Sequence, residues 1–238
     1  MGATPIQNVG AYGQEVSEAL THVRALDRRG GQVVTLSPDE CGFAYRDSVF
    51  RSGERGRYIV LAVCYRLMLG GAPAVRYRDV EQDLERRGIR GPSLAEVRES
   101  VLGIRRSKSM VLDADDPNRR SCGSFFLNPI VSGAELRRIE ERARVDPAMP
   151  GWPMPDGRVK LSAAWLIQAA GFERGQREGP VGLSSRHTLA IVCHDGARAA
   201  DVVAFARRLR ARVEERFGVR LHPEPVFWGP LDLDGDNS

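Results

Sequence analysis

A chain of 238 residues, 42% hydrophobic and 28% charged, can bury a core in one large domain or two smaller ones, and two are expected here. Its best apolar run, residues 58–65, is far shorter than the roughly 20 residues a bilayer requires, and the start has neither the basic nor the apolar stretch of a signal peptide, so a cytoplasmic, monomeric protein with no membrane partner is expected. The net charge of +4 suits anionic ligands such as nucleotides.

Residues 2–13 are rich in glycine and carry Pro5, Gln7 and Asn8, which reads as an irregular segment whose backbone comes close to something. Residues 16–27 have a strand-like density of branched side chains, Arg29-Gly30-Gly31 is a turn, and residues 32–36 return as a second strand, together a hairpin. Ser37-Pro38-Asp39-Glu40 has the cap, proline and acid spacing of a short helix start. An apolar strand spans 58–67, residues 70–73 form a loop, and a helix is expected over 80–87. A second helix, capped by Ser93 and Glu96, aligns Leu94, Val97, Val101 and Ile104 and ends near Lys108. Residues 113–120 are acidic, prolyl and polar, a candidate boundary between lobes.

Beyond that boundary, Ser132 and Glu135 cap a helix bearing Leu136 and Ile139, and residues 146–157 are so rich in Pro and Gly that a loop is expected. Ser162 caps a helix that Gly171 ends, and residues 188–193 read as a buried strand. In the arginine-rich stretch 207–216, Val202, Ala206, Leu209, Val213 and Phe217 recur at helical spacing, so the arginines form the wet face of a core-packed helix and no nucleic-acid partner is expected. Cys41, Cys64, Cys122 and Cys193 are too scattered for a disulfide framework, and no metal site is expected.

One stretch concentrates chemistry. Around Gly123-Ser124-Phe125-Phe126-Leu127-Asn128-Pro129 a serine hydroxyl sits at a glycine turn directly before two aromatics that can anchor it. By itself this is also what a strand entering a core looks like.

The same segment, Gly-Ser-Phe-Phe-x-Asn-Pro, resembles a motif of the UDP-N-acetylenolpyruvoylglucosamine reductases. Four further stretches resemble the family in the same order: Gly2 to Glu15, Phe43 to Phe50, Ala164-Trp165-Leu166-Ile167 with Gly171, and Pro223-Glu224-Pro225-Val226. The resemblance implies an α+β fold, the remnant of a two-lobe flavin-binding (PCMH-type) domain joined to an α+β substrate-binding lobe with a small antiparallel sheet. The flavin lobe would be residues 1–112, with 222–238 returning to it, and the substrate lobe 113–221.

It implies FAD as cofactor, NADPH as hydride donor and UDP-N-acetylglucosamine enolpyruvate as substrate, reduced to UDP-N-acetylmuramate for peptidoglycan. Arg46, Ser124 and Glu224 match the catalytic positions: a carboxylate grip, a proton donor and a stabiliser of the enolic intermediate. Gly2, Thr4, Gln7, Asn8, Gly10, Ala11, Tyr12 and Gly13 match flavin contacts. Tyr77 resembles a tyrosine on a loop that folds over the substrate, Lys108, Asn128 and Lys160 resemble phosphate and sugar contacts, and Trp152 stands where an aromatic faces the nucleotide.

Members of the family also have an N-terminal lobe with a glycine-rich turn for the flavin pyrophosphate, and this chain starts inside the following motif, so it is expected to lack that lobe. Either a flavin reductase or a flavin-free fragment that binds the nucleotide sugar is consistent with this. Because backbone amides at a pyrophosphate supply much of the affinity, the chain is expected to purify with little flavin. An absorption spectrum after gel filtration checks this, and a stoichiometric flavin band would refute it.

Overall fold

The computed structural model describes residues 2–143, 149–230 and 233–234. The chain is α+β and forms two compact units, Met1–Ile104 and Arg105–Ser238.

In the first unit the glycine-rich start folds through turns into a small hairpin, β1 (Gly10–Ala11) with β2 (Gln14–Glu15). Tyr12 and Gly13 make its turn at positive φ, 54° and 82°, the conformation that two-residue hairpins demand. Where a strand was expected from residue 16, a 3-10 turn, Val16–Glu18, intervenes, held by reciprocal bonds between Glu15 and Glu18. The strand β3 (Leu20–Asp27) then pairs antiparallel with β4 (Gln32–Leu36) and, on its other edge, with β5 (Tyr58–Tyr65). Leu20, Val23, Ala25 and Leu36 meet Cys41 and Phe50 in the core of this sheet.

The cap bonds expected at residue 37 do form, with Ser37 N–H and Oγ–H donating to Glu40 Oε2 at 2.8 and 2.9 Å. They close a turn and not a helix, because Gly42 takes φ +55° and ends the coil as the Cys41 side chain turns into the core. The helices α1 (Arg78–Arg86) and α2 (Leu94–Ser107) follow, and Val80, Leu84 and Ile104 form a second apolar cluster with Tyr12 packed against it.

The second unit contains β6 (Ser121–Ser124), β7 (Ile130–Val131), α3 (Gly133–Ala143), β8 (Gly151–Pro153), β9 (Val159–Leu161), α4 (Ala163–Ala169), β10 (Arg177–Glu178), β11 (Val181–Leu183), β12 (Ala190–Cys193) and α5 (Ala199–Phe217). Its sheets run β10-β11-β12-β6 and β7-β9-β8, antiparallel throughout. The strand β8 corrects the loop expected over 146–157, whose first residues lie outside the described ones. Gly157, at φ +80°, and the bond from Met154 N–H to Arg158 C=O at 2.8 Å fold this stretch into a hairpin. Gly151 leaves room for Val159, whose side chain lies 3.0 Å from where a Cβ would stand.

The helix α5 buries Val203, Phe205, Ala206, Leu209, Val213 and Phe217, each worth about 1.5–3 kcal/mol for the larger side chains. Arg207, Arg208 and Arg212 stay exposed on its wet face. Leu161, Leu166, Ile167 and Leu221 complete this core.

By contacts the units divide at Ile104, inside α2, and not at 112, and the tail from residue 222 groups with the second unit. The Glu224 N–H donates to Phe125 C=O at 2.8 Å, and Leu233 is buried in the second unit's core, which is why the tail packs there. Among the described residues no helix is long and apolar enough to cross a membrane.

Two side chains cap α4: Ser162 Oγ accepts from Trp165 N–H at 3.2 Å, and Asn128 Oδ1 accepts from Ala163 N–H at 3.0 Å. Ser162→Ala is therefore expected to cost about 1 kcal/mol in urea unfolding. Leu166→Ala, at a position 0% exposed beneath that cap, is expected to cost about 3 kcal/mol in the same titration.

Candidate active site

The expected catalytic serine ends β6. Its partner strand β12 pairs Ala190 with Ser124 and Val192 with Ser121, so three steps of β6 answer two of β12, a bulge. Gly123 lies within it at φ +78°, and a Cβ there would meet nothing, so the glycine is required by the backbone angle and not by crowding. Directly after Ser124, Phe125 and Phe126 are buried at 2% and 1% exposure and meet edge to face at 5.1 Å.

Both edges of this segment are tied. Phe125 N–H donates to Leu189 C=O at 2.7 Å on one side, and Leu127 N–H donates to His222 C=O at 2.9 Å on the other, where Glu224 N–H reaches Phe125 C=O. The ladder brings Glu224 across from Phe125, one residue from Ser124, although the two lie 100 positions apart in sequence. Among the described residues the Ser124 hydroxyl makes no hydrogen bond, and Glu224 is half-buried. Desolvation pushes the neighbouring Cys122 thiol up, and Cys193 and the Glu224 carboxylate push it further. That makes it a poor nucleophile.

A histidine stands beside the other edge. His187 is half-buried, and its Nδ1 accepts from Leu189 N–H at 3.1 Å, the residue whose carbonyl holds Phe125. Burial first, then the charges of Lys108 and Arg174, hold its pKa below the ordinary 6.5. Lys108, an expected substrate contact, directly precedes Ser109, which is tied down by Asn118, a side chain only 7% exposed. Asn118 Nδ2–H donates to Ser109 Oγ at 3.2 Å and to Ser185 Oγ at 3.1 Å, while its Oδ1 accepts from Ser185 N–H at 3.0 Å. The stretch 113–120, expected as a boundary for its polarity, thus carries a buried staple.

Sequence reading missed His187, Arg174 and Asn118. The only local signal was the Asp116-Pro117-Asn118 turn.

Two further expected contacts meet by register. Trp152 on β8 stands opposite Lys160 on β9, and the Lys160 Nζ lies 5.8 Å from the indole centroid, a cation–π pair with the ring exposed. Asn128 spends its Oδ1 on the α4 cap, which leaves its amide N–H groups as what it could offer a ligand.

In the first unit Arg46 sits at the tip of a tight turn closed by Ala44 and Asp47, at φ +54°. Its Nη2–H donates to Gly10 C=O at 2.7 Å, and its Nη1 lies 3.3 Å from where a Gly10 Cβ would stand. A side chain at residue 10 would crowd the arginine, and more so the Glu15 Cγ, 2.9 Å from that Cβ position. Gly13 likewise faces protein: a Cβ there would fall 2.8 Å from the Arg76 Cβ.

Side chains expected to touch a flavin are engaged inside the unit. Asn8, 1% exposed, donates to Glu15 at 2.7 Å and Ala44 C=O at 3.2 Å, and accepts from Ser17 N–H. Gln7 Oε1 accepts from Arg51 at 2.7 Å, and the Thr4 and Tyr65 hydroxyls bond each other. What this segment offers an anionic cofactor is its backbone between Gly10 and Gly13 and the guanidinium of Arg46. That chemistry fits part of a flavin contact set, while Gln7 and Asn8 act as internal ties. Tyr77 packs edge to face on Tyr12 at 5.3 Å.

Residues 115–228 match the family model described as UDP-N-acetylenolpyruvoylglucosamine reductase, C-terminal domain. The chain is 48% identical over 237 residues to the UDP-N-acetylenolpyruvoylglucosamine reductase of Thermobifida fusca, an overlap that covers 96% of this chain and 65% of that protein. With the reductase of Salinispora arenicola it shares 48% identity over 234 residues, covering 95% and 63%. The crystal structure of the Thermus caldophilus UDP-N-acetylenolpyruvylglucosamine reductase superposes with a TM-score of 0.54 at 23% identity, covering 96% of this chain and 60% of that one, a likeness of fold. The chain spans less than two thirds of the length of these relatives.

Removing the buried staple tests the cationic cluster. Asn118→Ala should cost about 2 kcal/mol, because buried donors lose their partner, and should let the His187 pKa rise toward its ordinary value as Lys108 is released. NMR titration of the histidine ring protons reads this, and an unmoved His187 would mean that Lys108 is held independently. The stability contributed by neutral His187 is fully present above pH 6.5 and is lost as pH falls below it toward the depressed folded value.

Proposed function

Taking the chain as one that carries the C-terminal domain of the UDP-N-acetylenolpyruvoylglucosamine reductase family over residues 115–228, we propose that it takes part in reducing UDP-N-acetylglucosamine enolpyruvate to UDP-N-acetylmuramate for peptidoglycan, in the cytoplasm. The observation that carries this reading is the ladder that sets Glu224 one residue from Ser124.

The reaction adds a hydride to one alkene carbon and a proton to the other, with negative charge spreading onto the carboxylate in between. FAD, reduced by NADPH, supplies the hydride when bound. The backbone of Gly10, Ala11, Tyr12 and Gly13 would hold its second-lobe side. Arg46, already oriented by Gly10, would grip the substrate carboxylate with the fork that lysine lacks. Glu224 would help stabilise the enolic intermediate.

Ser124 Oγ would give the proton. A hydroxyl is a weak acid, so it must be aimed at a strongly basic carbon, and the Gly123 bulge with the two buried phenylalanines limits its wandering. Lys108, Arg174 and His187 form an electropositive patch suited to a diphosphate, and the exposed Trp152 ring with Lys160 suits a nucleoside and its phosphate.

A second reading, a nucleotide-sugar-binding chain without redox turnover, is favoured by the internal engagement of Thr4, Gln7 and Asn8. Calorimetry with UDP-N-acetylglucosamine and substrate-dependent loss of NADPH absorbance, both with FAD added, separate the two. Turnover that falls about a hundredfold in Ser124→Ala with nucleotide-sugar affinity retained supports the first. Binding without turnover in the wild-type chain supports the second, and neither binding nor turnover overturns both.

A further inference from the structure

The approach to Tyr77 is anchored at one end only. Leu67, Met68 and Leu69 are 82%, 84% and 100% exposed, so the loop leaving β5 has no apolar hold there. At its far end three separate contacts seat residues 76 and 77 on the glycine-rich hairpin. The Tyr77 ring meets Tyr12 edge to face at 5.3 Å and 76°. The backbone of Arg76 comes so close to Gly13 that a Cβ would fall 3.1 Å from its carbonyl carbon and oxygen, and Gly13 is in any case at φ +82°. Arg76 Nη1 pairs with Glu18 Oε2 at 2.7 Å, and Glu18 is itself fixed by the Glu15 N–H at 3.0 Å.

We propose that Tyr12 is a positioning residue: its ring, held at φ +54° and packed on the cluster of Val80, Leu84 and Ile104, is the seat on which the Tyr77 loop closes. Tyr77 directly precedes α1, whose Val80 and Leu84 share that cluster, so seating the ring also fixes the start of the helix. The contact is made by ring faces and edges, and a phenyl group serves as well as a phenol. The ion pair between two exposed partners adds little. Any ligand that occupies the turn at Tyr12 and Gly13 thereby acts on the loop that carries Tyr77. That Tyr77 then covers a nucleotide sugar rests on the function proposed above; the seat itself does not.

Trypsin cleavage after Arg76, followed by mass spectrometry, reads the seat without any activity. Tyr12→Leu should accelerate it about tenfold, the size expected from one lost aromatic pair. Tyr12→Phe should cleave like wild type, Glu18→Gln should change the rate by less than about threefold, and Tyr77→Leu should match Tyr12→Leu. The double variant Tyr12→Leu/Tyr77→Leu should then be no faster than either single one. Additive acceleration in the double variant, or equal acceleration after Arg86 at the far end of α1, would mean general loosening and overturn the seat. In parallel, the affinity for UDP-N-acetylglucosamine should fall in Tyr12→Leu and recover in Tyr12→Phe. If no variant binds the sugar nucleotide, the functional reading fails while the cleavage pattern still decides the seat.

Discussion

The second unit depends on how one short segment is held. From Ser124 to Leu127 the backbone is hydrogen-bonded along both edges, to the turn before β12 and to residues 222–224. Two adjacent phenylalanines are buried at the same place. A strand with free edges could slide or fray, and this one can do neither without breaking bonds on both sides and exposing two aromatic rings. The glycine bulge turns that rigidity into aim, because a positive φ just before Ser124 re-directs the chain while the next two residues stay fixed. Glu224 comes to the site by the same ladder.

Charge is arranged by a different device. Arginines are plentiful on the surface, and surface ion pairs contribute little to stability. The cations near His187 stand out because a buried amide, Asn118, ties the segment after α2 to the turn before β12. Burial works against charge on Asp116, yet the N–H and amide of Asn118, the Ser109 hydroxyl and Arg186 outweigh it and hold that carboxyl below its ordinary value. One acid and one amide therefore organise a region where positive charge is kept close to a neutral histidine. Such a patch is suited to an anionic ligand that supplies the missing negative charge.

The first unit spends its special residues differently. Its left-handed positions at Asn8, Tyr12, Gly13 and Arg46 fall around the glycine-rich hairpin and the turn that faces it. Each has an internal partner: Asn8 a three-way amide network, Tyr12 the Tyr77 ring, Gly13 the backbone of Arg76 and Arg46 the Gly10 carbonyl. Strain of this kind persists only where surrounding contacts over-determine it. Here those contacts tie the glycine-rich hairpin to the Arg46 turn and to the loop that carries Tyr77 within one unit.

The sequence by itself determined the elements whose signals are local. Cap residues and apolar spacing located α2, α3, α4 and α5, and the β3–β4 hairpin followed from its turn, because these depend on bonds and faces within a few residues. It also located Ser124, Glu224 and Arg46 as candidates through a family resemblance. Only tertiary structure decided which of them meet. The pairing of 222–224 with 125–127 is long-range, and no periodicity near either stretch encodes it. The same holds for Asn118, whose composition suggested a linker and whose partners lie up to 67 positions away. Residues 37–40 formed every cap bond of a helix and still stopped after one turn, since Gly42 and the buried Cys41 settled the direction of the chain. Local chemistry selects what a segment can do, and the contacts it makes with distant segments decide which of those options is lowest in free energy.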